Sequence, residues 1–289
     1  MNRTKLSFLT AMLVFGTVGV FVRQIPLPSA TIAFFRGMLG VVTLLLVMLC
    51  TGKKPNFSQI KKNLPLLLLS GAAIGGNWIL LFEGYRYTTV ATATICYYLA
   101  PVFLVLASPL LGERLTIKKL LLSAMALLGM VFVSGVVRGG ISGGRGIACG
   151  IGAAVLYASV MFMNKKLGTI SAYDKTVIQL GAAALVILPY CLMSHGFDLS
   201  GMDITGFGML AVVGILHTGI CYCMYFGAMG KMPSQSVALF SYLDPVVAIV
   251  LSALLLHEPF GWQEAVGAAL ILGSALLSEL PEQKNAKKG

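Results

Sequence analysis

Long runs of apolar residues recur along the whole chain, each ended by charges, prolines or grouped glycines. The runs are about 17–23 residues long, enough at about 1.5 Å per residue to cross about 30 Å of hydrocarbon. Read this way, the pattern predicts ten helices, over 6–22, 30–50, 64–82, 89–111, 117–137, 146–164, 174–194, 204–226, 234–256 and 262–280. Pro26 and Pro28 separate the first two, and Gly52-Lys53-Lys54-Pro55-Asn56 the next pair. Gly139, Gly140, Gly143 and Gly144 make a joint at the middle of the chain. The connections are too short for a soluble domain. Met1-Asn2-Arg3-Thr4-Lys5 before the first run imitates a signal peptide, but no small-residue cleavage site follows. It is read as the start of an uncleaved span. The expected fold class is an all-α integral membrane protein with ten transmembrane helices.

Composition agrees. The chain is 57% hydrophobic and 11% charged, where a soluble domain carries about 25% charge. The net charge of +11 would fit a nucleic-acid partner. The basic residues, however, sit in short loops without interleaved aromatics, so the partner expected is the lipid bilayer and no nucleic acid. With the N-terminus in the cytoplasm, 16 of the 21 lysines and arginines fall on the cytoplasmic side. Four fall outside (Arg23, Arg86, Arg138 and Arg145), and Arg36 lies within a span. That asymmetry orients the chain with both termini cytoplasmic, as a multi-pass protein of the cell membrane. The six cysteines, Cys50, Cys96, Cys149, Cys191, Cys221 and Cys223, all lie in apolar runs with no metal-ligand spacing. They read as free thiols, and neither metal nor cofactor is expected.

The chain also repeats itself. Tyr98-Leu99-Ala100-Pro101-Val102 recurs as Tyr242-Leu243-Asp244-Pro245-Val246, 144 residues later in a chain of 289. Ser108, Leu110, Leu111, Ala124, Gly129 and Ser134 find Ser252, Leu254, Leu255, Ala268, Gly273 and Ser278 at the same offset. The halves divide as 1–138, a Gly-rich linker 139–145, and 146–289 with its basic cytoplasmic tail. Five spans per half is an odd number, so the two repeats should be inverted about an axis in the membrane plane. Matched, proline-interrupted apolar segments point to the midplane binding site of a secondary transporter. Small-residue pairs at Gly71/Gly75, Gly146/Gly150 and Ala269/Gly273 should let helices approach closely.

With these motifs, the chain resembles the drug/metabolite transporter superfamily, specifically the EamA family. The resemblance rests on the two Tyr-Leu-x-Pro-Val segments and the runs after them, which end in Gly112-Glu113-Arg114-Leu115 and His257-Glu258-Pro259-Phe260. The stretches before them, Ala91-Thr92-Ala93-Thr94 and Ser234-Gln235-Ser236-Val237-Ala238, also fit. It covers essentially the whole chain. It implies ten helices in two inverted five-helix repeats around a central cavity, and transport of amino acids, other metabolites or toxic compounds.

Candidate site residues are the polar groups inside the spans. Asp244 lies about 15 Å from the inner end of its span, at the midplane, where a carboxylate costs about 2.5–3.5 kcal/mol. It should face a cavity, to bind a substrate amine or couple to protons; the alternative is a bond to backbone freed by Pro245. Pro101 and Pro245 are candidate hinges or static kinks. Arg36, with Gly40 and Thr43 along its face, either points inward to take a carboxylate or snorkels outward. His217 is the intramembrane histidine, a ligand or relay on one reading and a helix-to-helix bond on the other. Asn77 and Gln179 carry the same two readings. Tyr97 and Ser241 lie three residues before Ala100 and Asp244, on the same helical face if each span is continuous. Trp78, Tyr98 and Tyr242, with Tyr222 and Tyr225, could form an aromatic wall or simply pack. Glu113 and Glu258 read as solvated helix-end charges or as gate ion pairs.

The function these features favour is a secondary transporter of small organic metabolites, amino acids or related compounds. It would be an exporter working by alternating access. No nucleotide-binding motif is present for direct use of ATP. A small-molecule channel is the alternative. An intramembrane enzyme is disfavoured because no nucleophile, base or metal set converges. Substrate, flux direction, coupling ion and oligomeric state are left open by the sequence.

Overall fold

The computed structural model describes the chain except residues 1–2, 23, 89–92, 94–95, 134–142, 168, 195–196, 256–260 and 281–289. Most of the Gly-rich linker, the basic tail and Glu258 therefore lie outside the described residues. Among those described, all regular structure is helical. The first half contains α1 (Arg3–Phe15), α2 (Val18–Val22), α3 (Ser29–Cys50) and α4 (Phe57–Tyr87). It continues with α5 (Ala100–Leu106), a 3₁₀ turn (Ser108–Leu111) and α6 (Ile117–Val133). The second half contains α7 (Gly144–Lys166), α8 (Ala172–Ser194) and α9 (Ile204–Val212). A π-helical segment (Val213–Ile220) joins α9 to α10 (Cys221–Met229), and α11 (Ser234–Phe240), α12 (Leu243–Leu255) and α13 (Trp262–Glu279) follow. Among the described residues, six stretches are long and apolar enough to cross a bilayer: Arg3–Val22, Ser29–Cys50, Phe57–Gly84, Gly144–Lys166, Ala172–Ser194 and Ile204–Met229.

Several predicted spans differ from single rods. The first breaks at Gly16-Thr17, between α1 and α2. A Cβ on Gly16 would lie 2.6 Å from the Asp244 carbonyl oxygen and 2.5 Å from Val247, so the break lets the chain pass against α12. The spans over 89–111 and 234–256 turn at Tyr98-Leu99 and at Ser241-Tyr242. Each turn is tightened by an i to i−3 bond, Leu99 N–H to Cys96 O and Tyr242 N–H to Leu239 O, both 3.2 Å. The prolines do not kink a running helix. Pro101 occupies the first turn of α5 and Pro245 that of α12, where a missing N–H costs nothing. Pro65 and Pro189, by contrast, sit inside α4 and α8 without ending them. Helix α4 runs to 31 residues, well past the predicted 64–82. Its first turns, with Lys61 and Lys62 exposed, begin at an Asn56 cap whose side chain accepts from Gln59 N–H.

Packing follows the repeat. Helix α4 lies against α7, and α1 against α10, its counterpart under exchange of the two halves. The same exchange relates α3 on the π segment to α8 on α4, while α3–α8 and α6–α13 map onto themselves. Such swapped pairs are what a two-fold relation between halves produces. Large apolar side chains point outward, as at Leu49 (77% exposed) and Leu276 (73%), which suits a lipid surround. Small residues hold the interior together. A Cβ on Gly71 would come 2.5 Å from the Gln179 carbonyl oxygen, and one on Gly150 2.7 Å from Cys96 Cβ. In the third pair Gly273 has room, with nothing closer than 3.7 Å, whereas Gly129, its repeat-mate, is tight at 2.7 Å from the Gly267 carbonyl oxygen.

Two glycines on facing helices should therefore respond oppositely. Gly71→Ala meets backbone and should destabilise by about 1–3 kcal/mol. Gly181→Ala, with nothing within 4 Å, should be neutral or stabilise by up to about 1 kcal/mol. Thermal unfolding of the two purified variants in one detergent checks this; equal melting temperatures would refute the α4–α8 contact.

Candidate functional site

The breaks in the helices surround a buried cavity of about 190 Å³. Both halves line it. Phe15 and Val18 flank the first break, Arg36 comes from α3, and Trp78, Leu81 and Phe82 come from α4. Tyr97 precedes the second break, and Tyr157 comes from α7. His217 and Thr218 lie on the π segment, Tyr222 and Tyr225 on α10, and Asp244 on α12. Of the residues picked from sequence, Asp244, Arg36, His217, Tyr97 and Trp78 meet here.

Asp244 accepts a hydrogen bond from the Tyr98 hydroxyl, 2.8 Å from Oδ1. Tyr242, the repeat-mate of Tyr98, donates its own hydroxyl to the Tyr98 carbonyl at 2.7 Å. The two rings lie 5.9 Å apart. Tyr98 and Tyr242 thus stand behind the cavity and fix the carboxylate and the broken backbone. Arg36 points inward. Its guanidinium carbon lies 4.0 Å over the Trp78 ring, and one terminal nitrogen donates to the Tyr222 hydroxyl at 3.4 Å. Its Nε is buried and has no hydrogen-bond partner. No ion pair joins Arg36 to Asp244. Among the described residues the cavity holds one cation and one carboxylate, which do not neutralise each other by contact.

His217 has partners at both ring nitrogens. Nδ1 lies 3.3 Å from the Val212 carbonyl, and Nε2 lies 2.7 Å from the Thr17 hydroxyl. A carbonyl can only accept, so Nδ1 carries the proton of that contact, while the single proton of the Thr17 hydroxyl is shared between the Val14 carbonyl, 2.8 Å away, and Nε2. The π geometry creates this bond, since it brings residue 217 beneath the carbonyl five residues back; Thr218 bonds Val213 O in the same way, at 2.8 Å. Tyr157 stacks on Tyr97 with centroids 5.3 Å apart and shares a 2.8 Å hydrogen bond with Tyr225.

Besides Tyr98 and Tyr242, three more candidates lie outside the cavity. Asn77 donates to the Ala153 carbonyl at 2.7 Å and joins α4 to α7. Gln179 donates to the Ser70 hydroxyl and joins α8 to α4. Ser241 donates to the Val237 carbonyl at 2.7 Å. The shared-face argument for Ser241 assumed a continuous helix, and the turn at Ser241-Tyr242 breaks that register. Tyr157, Thr17, Phe15 and Thr218 were missed. Tyr157 lies in an Ala- and Val-rich run with no polar repeat-mate, and the break at Gly16-Thr17 has no proline to announce it.

A separate tie closes one end of the bundle. The carboxylate of Glu113, in the loop before α6, accepts from the Ser234 N–H at 3.0 Å and the Ser234 hydroxyl at 2.8 Å. Lys165, at the end of α7, pairs with it at 3.1 Å and also donates to the Met232 carbonyl. Glu113 is therefore bound to the start of α11 and the end of α7, and is not a solvated helix-end charge.

The model of the EamA-like transporter family matches the chain twice, over residues 3–135 and 144–280. The chain belongs to this family. An uncharacterized transporter, YxxF, of Bacillus subtilis is 28% identical over 96% of this chain and 89% of its own. An uncharacterized transporter of Archaeoglobus fulgidus is 25% identical over 91% of both. A probable terminal-alkyne amino-acid exporter of Streptantibioticus cattleyicolor is 26% identical over 91% of this chain and 84% of its own. One crystal structure superposes with a TM-score of 0.84 over 96% of each chain at 21% identity, which shows the fold alone. The chain is thus a multi-pass membrane protein of a transporter family, and neither the family nor these relatives are enzymes by name.

The tie at Glu113 makes a pH prediction. Burial works against its charge, but the Ser234 hydrogen bonds and the Lys165 ammonium outweigh it and hold the carboxyl below its ordinary range. A lowered folded value means the stabilisation is fully present above the unfolded value of about 4.3 and is lost as pH falls through the folded one. Glu113→Gln should lower stability near neutral pH by about 1.5–3 kcal/mol, the worth of hydrogen bonds to a charged group. It should also flatten the fall in melting temperature on acidification. Parallel pH profiles for variant and wild type would show that the tie carries no stability.

Proposed function

We propose that this protein is a secondary transporter that exports small zwitterionic metabolites of the amino-acid type across the cell membrane. The observation that carries this reading is the pairing of an under-bonded guanidinium, Arg36, with a carboxylate, Asp244, in one small cavity without an ion pair between them. A substrate carboxylate would take the Arg36 fork. A substrate ammonium would take Asp244 beside Tyr98. The aromatic wall of Trp78, Tyr97, Tyr157 and Tyr222 would enclose the side chain. At about 190 Å³ the space suits a metabolite and falls below the roughly 300–1,000 Å³ of drug-sized sites. The Streptantibioticus relative is named as a probable amino-acid exporter, which supports the substrate class and the direction.

In this reading ten helices cross the membrane in two inverted five-helix repeats, over 1–138 and 146–289, with both termini cytoplasmic. The swapped helix contacts support the two-fold relation, and the 16-to-4 distribution of basic residues supports the orientation. Alternating access rocks one repeat against the other. The turns ahead of Pro101 and Pro245 are the hinges, where the backbone already departs from helix. Asp244 is the coupling residue, exchanging a proton for the substrate ammonium.

Flux of a labelled amino-acid panel in proteoliposomes, with and without a pH gradient, tests this. Asp244→Asn and Arg36→Gln should fold normally and lose about 30-fold or more of transport, as when one partner of a buried charged pair is removed. Asp244→Asn should also lose its response to the gradient. Wild-type rates and pH profile in Asp244→Asn would make the carboxylate structural. For orientation, Gly144→Cys is the suitable probe, because a Cβ there meets nothing, whereas one at Gly143 would strike the Tyr87 carbonyl. In a background lacking the native cysteines it should react with an impermeant reagent from outside. Labelling from the cytoplasm alone would reverse the assigned direction.

A further inference from the structure

A second cavity, of about 340 Å³, opens where α1 begins, α8 begins and α10 ends. Arg3, Ser7, Tyr173, Cys223 and Lys231 are among the residues around it. Lys53 reaches over the Tyr173 ring, with its ammonium 4.1 Å from the centroid. Lys175, on the first turn of α8, is only 4% exposed and interacts electrostatically with Lys231 and Cys223. Four cations therefore gather in one corner. Among the described residues none of Arg3, Lys53, Lys175 and Lys231 forms an ion pair. The nearby carboxylate, Asp174, is itself 3% exposed and accepts from the Asn56 N–H at 3.2 Å.

Orientation signals do not account for this corner. Basic residues that orient a membrane protein act from solvated loops. A lysine almost wholly buried near another cation, with no carboxylate to neutralise it, holds its charge at a cost that a counter-anion in the adjoining cleft would offset. The corner sits at an end of the bundle, where two apolar helices begin and a third ends. A guanidinium, ammonium groups and a hydroxyl around a cleft suit the several acceptor oxygens of a phosphate. Basic pockets between transmembrane helices on the cytoplasmic side bind anionic headgroups elsewhere.

We propose that this corner is a binding site for a phosphate group, supplied by an anionic phospholipid headgroup or by a free phosphate anion. It is separate from the central cavity. An occupant would hold α1 against α8 and α10; α1 and α10 carry Phe15, Tyr222 and Tyr225 of that cavity, and α8 packs against α3 and α4, which carry Arg36 and Trp78. The site requires only that the bundle ends at a membrane surface, so it stands or falls apart from the choice of transported substrate.

The test uses the full-length protein in nanodiscs and reads melting temperature and bound lipid by native mass spectrometry. One arm compares phosphatidylcholine alone with phosphatidylcholine plus phosphatidylglycerol. The other adds inorganic phosphate to phosphatidylcholine discs, against chloride at equal ionic strength. The double variant Arg3→Gln/Lys231→Gln is set beside Lys61→Gln/Lys62→Gln, which removes the same charge from an exposed stretch. The expected result is a rise in melting temperature with anion for wild type and the control pair, absent in Arg3→Gln/Lys231→Gln. Affinity should fall roughly 30-fold in that variant, at about 1 kcal/mol for each basic residue. A rise with phosphatidylglycerol alone assigns the headgroup, and a rise with phosphate assigns the free anion. The same rise in both double variants, or no rise in wild type with either anion, would overturn the proposal.

Discussion

Backbone groups cannot be left unpaired inside hydrocarbon, where each costs several kcal/mol, and this chain interrupts three of its helical stretches in the bundle interior. The solution is the cross-brace between the repeats. The turn at Tyr98-Leu99 frees the Tyr98 carbonyl, and the Tyr242 hydroxyl from the other repeat satisfies it. The Tyr98 side chain in turn holds Asp244, next to the second turn. The second repeat thus supplies the hydroxyl that caps the first repeat's break, and the first supplies the hydroxyl that holds the carboxylate beside the second's. Gly16 completes the arrangement, since only a residue without Cβ lets the first break pass beneath the Asp244 carbonyl.

The repeat preserves geometry and divides the chemistry. At the offset of 144, Trp78 matches Tyr222 and Leu81 matches Tyr225, and all four line the cavity. Trp78 and Tyr222 meet edge to face, 6.2 Å apart, close to where an exchange axis would pass. The groups with ionic or proton chemistry break the match. Arg36 faces Leu180 in the alignment, His217 faces Ala73, and Asp244 faces Ala100. All three partners are buried and apolar. A fully symmetric site would place two carboxylates and two guanidiniums around about 190 Å³, with like charges repelling at close range. One copy of each leaves a polar axis that a zwitterion can read in only one sense.

Much of this was legible before any coordinates. The apolar runs, the matched Tyr-Leu-x-Pro-Val segments and the Ala100/Asp244 difference point to the helical repeats and to Asp244 in the cavity. What was not legible has specific causes. The prolines imply interruptions but not their form; they restart helices after a turn, and that turn removes Ser241 from the face deduced for it. The π segment has no sequence signature, yet it sets the His217 bond to Val212. Asn77 and Gln179 have the same composition signal as His217, and only the neighbouring helices decide that they join α4 to α7 and α8.

The two kinds of tie in the molecule differ in how easily they come apart. The Tyr98–Tyr242–Asp244 brace stands beside the central cavity, with Asp244 in its lining, so a bond broken there must pass to whatever fills the cavity. The Glu113 tie is partly open to solvent, with its side chain 22% exposed, and water can take over its hydrogen bonds as they part. In the alternating-access reading proposed above, motion would begin at the Glu113 end and leave the brace as a pivot. Helices α5 and α11 suit that division, since each has seven residues and adjoins a turn. In that reading they would tilt as short levers while the long helices α4, α7 and α8, held together by their close glycine contacts, keep the frame.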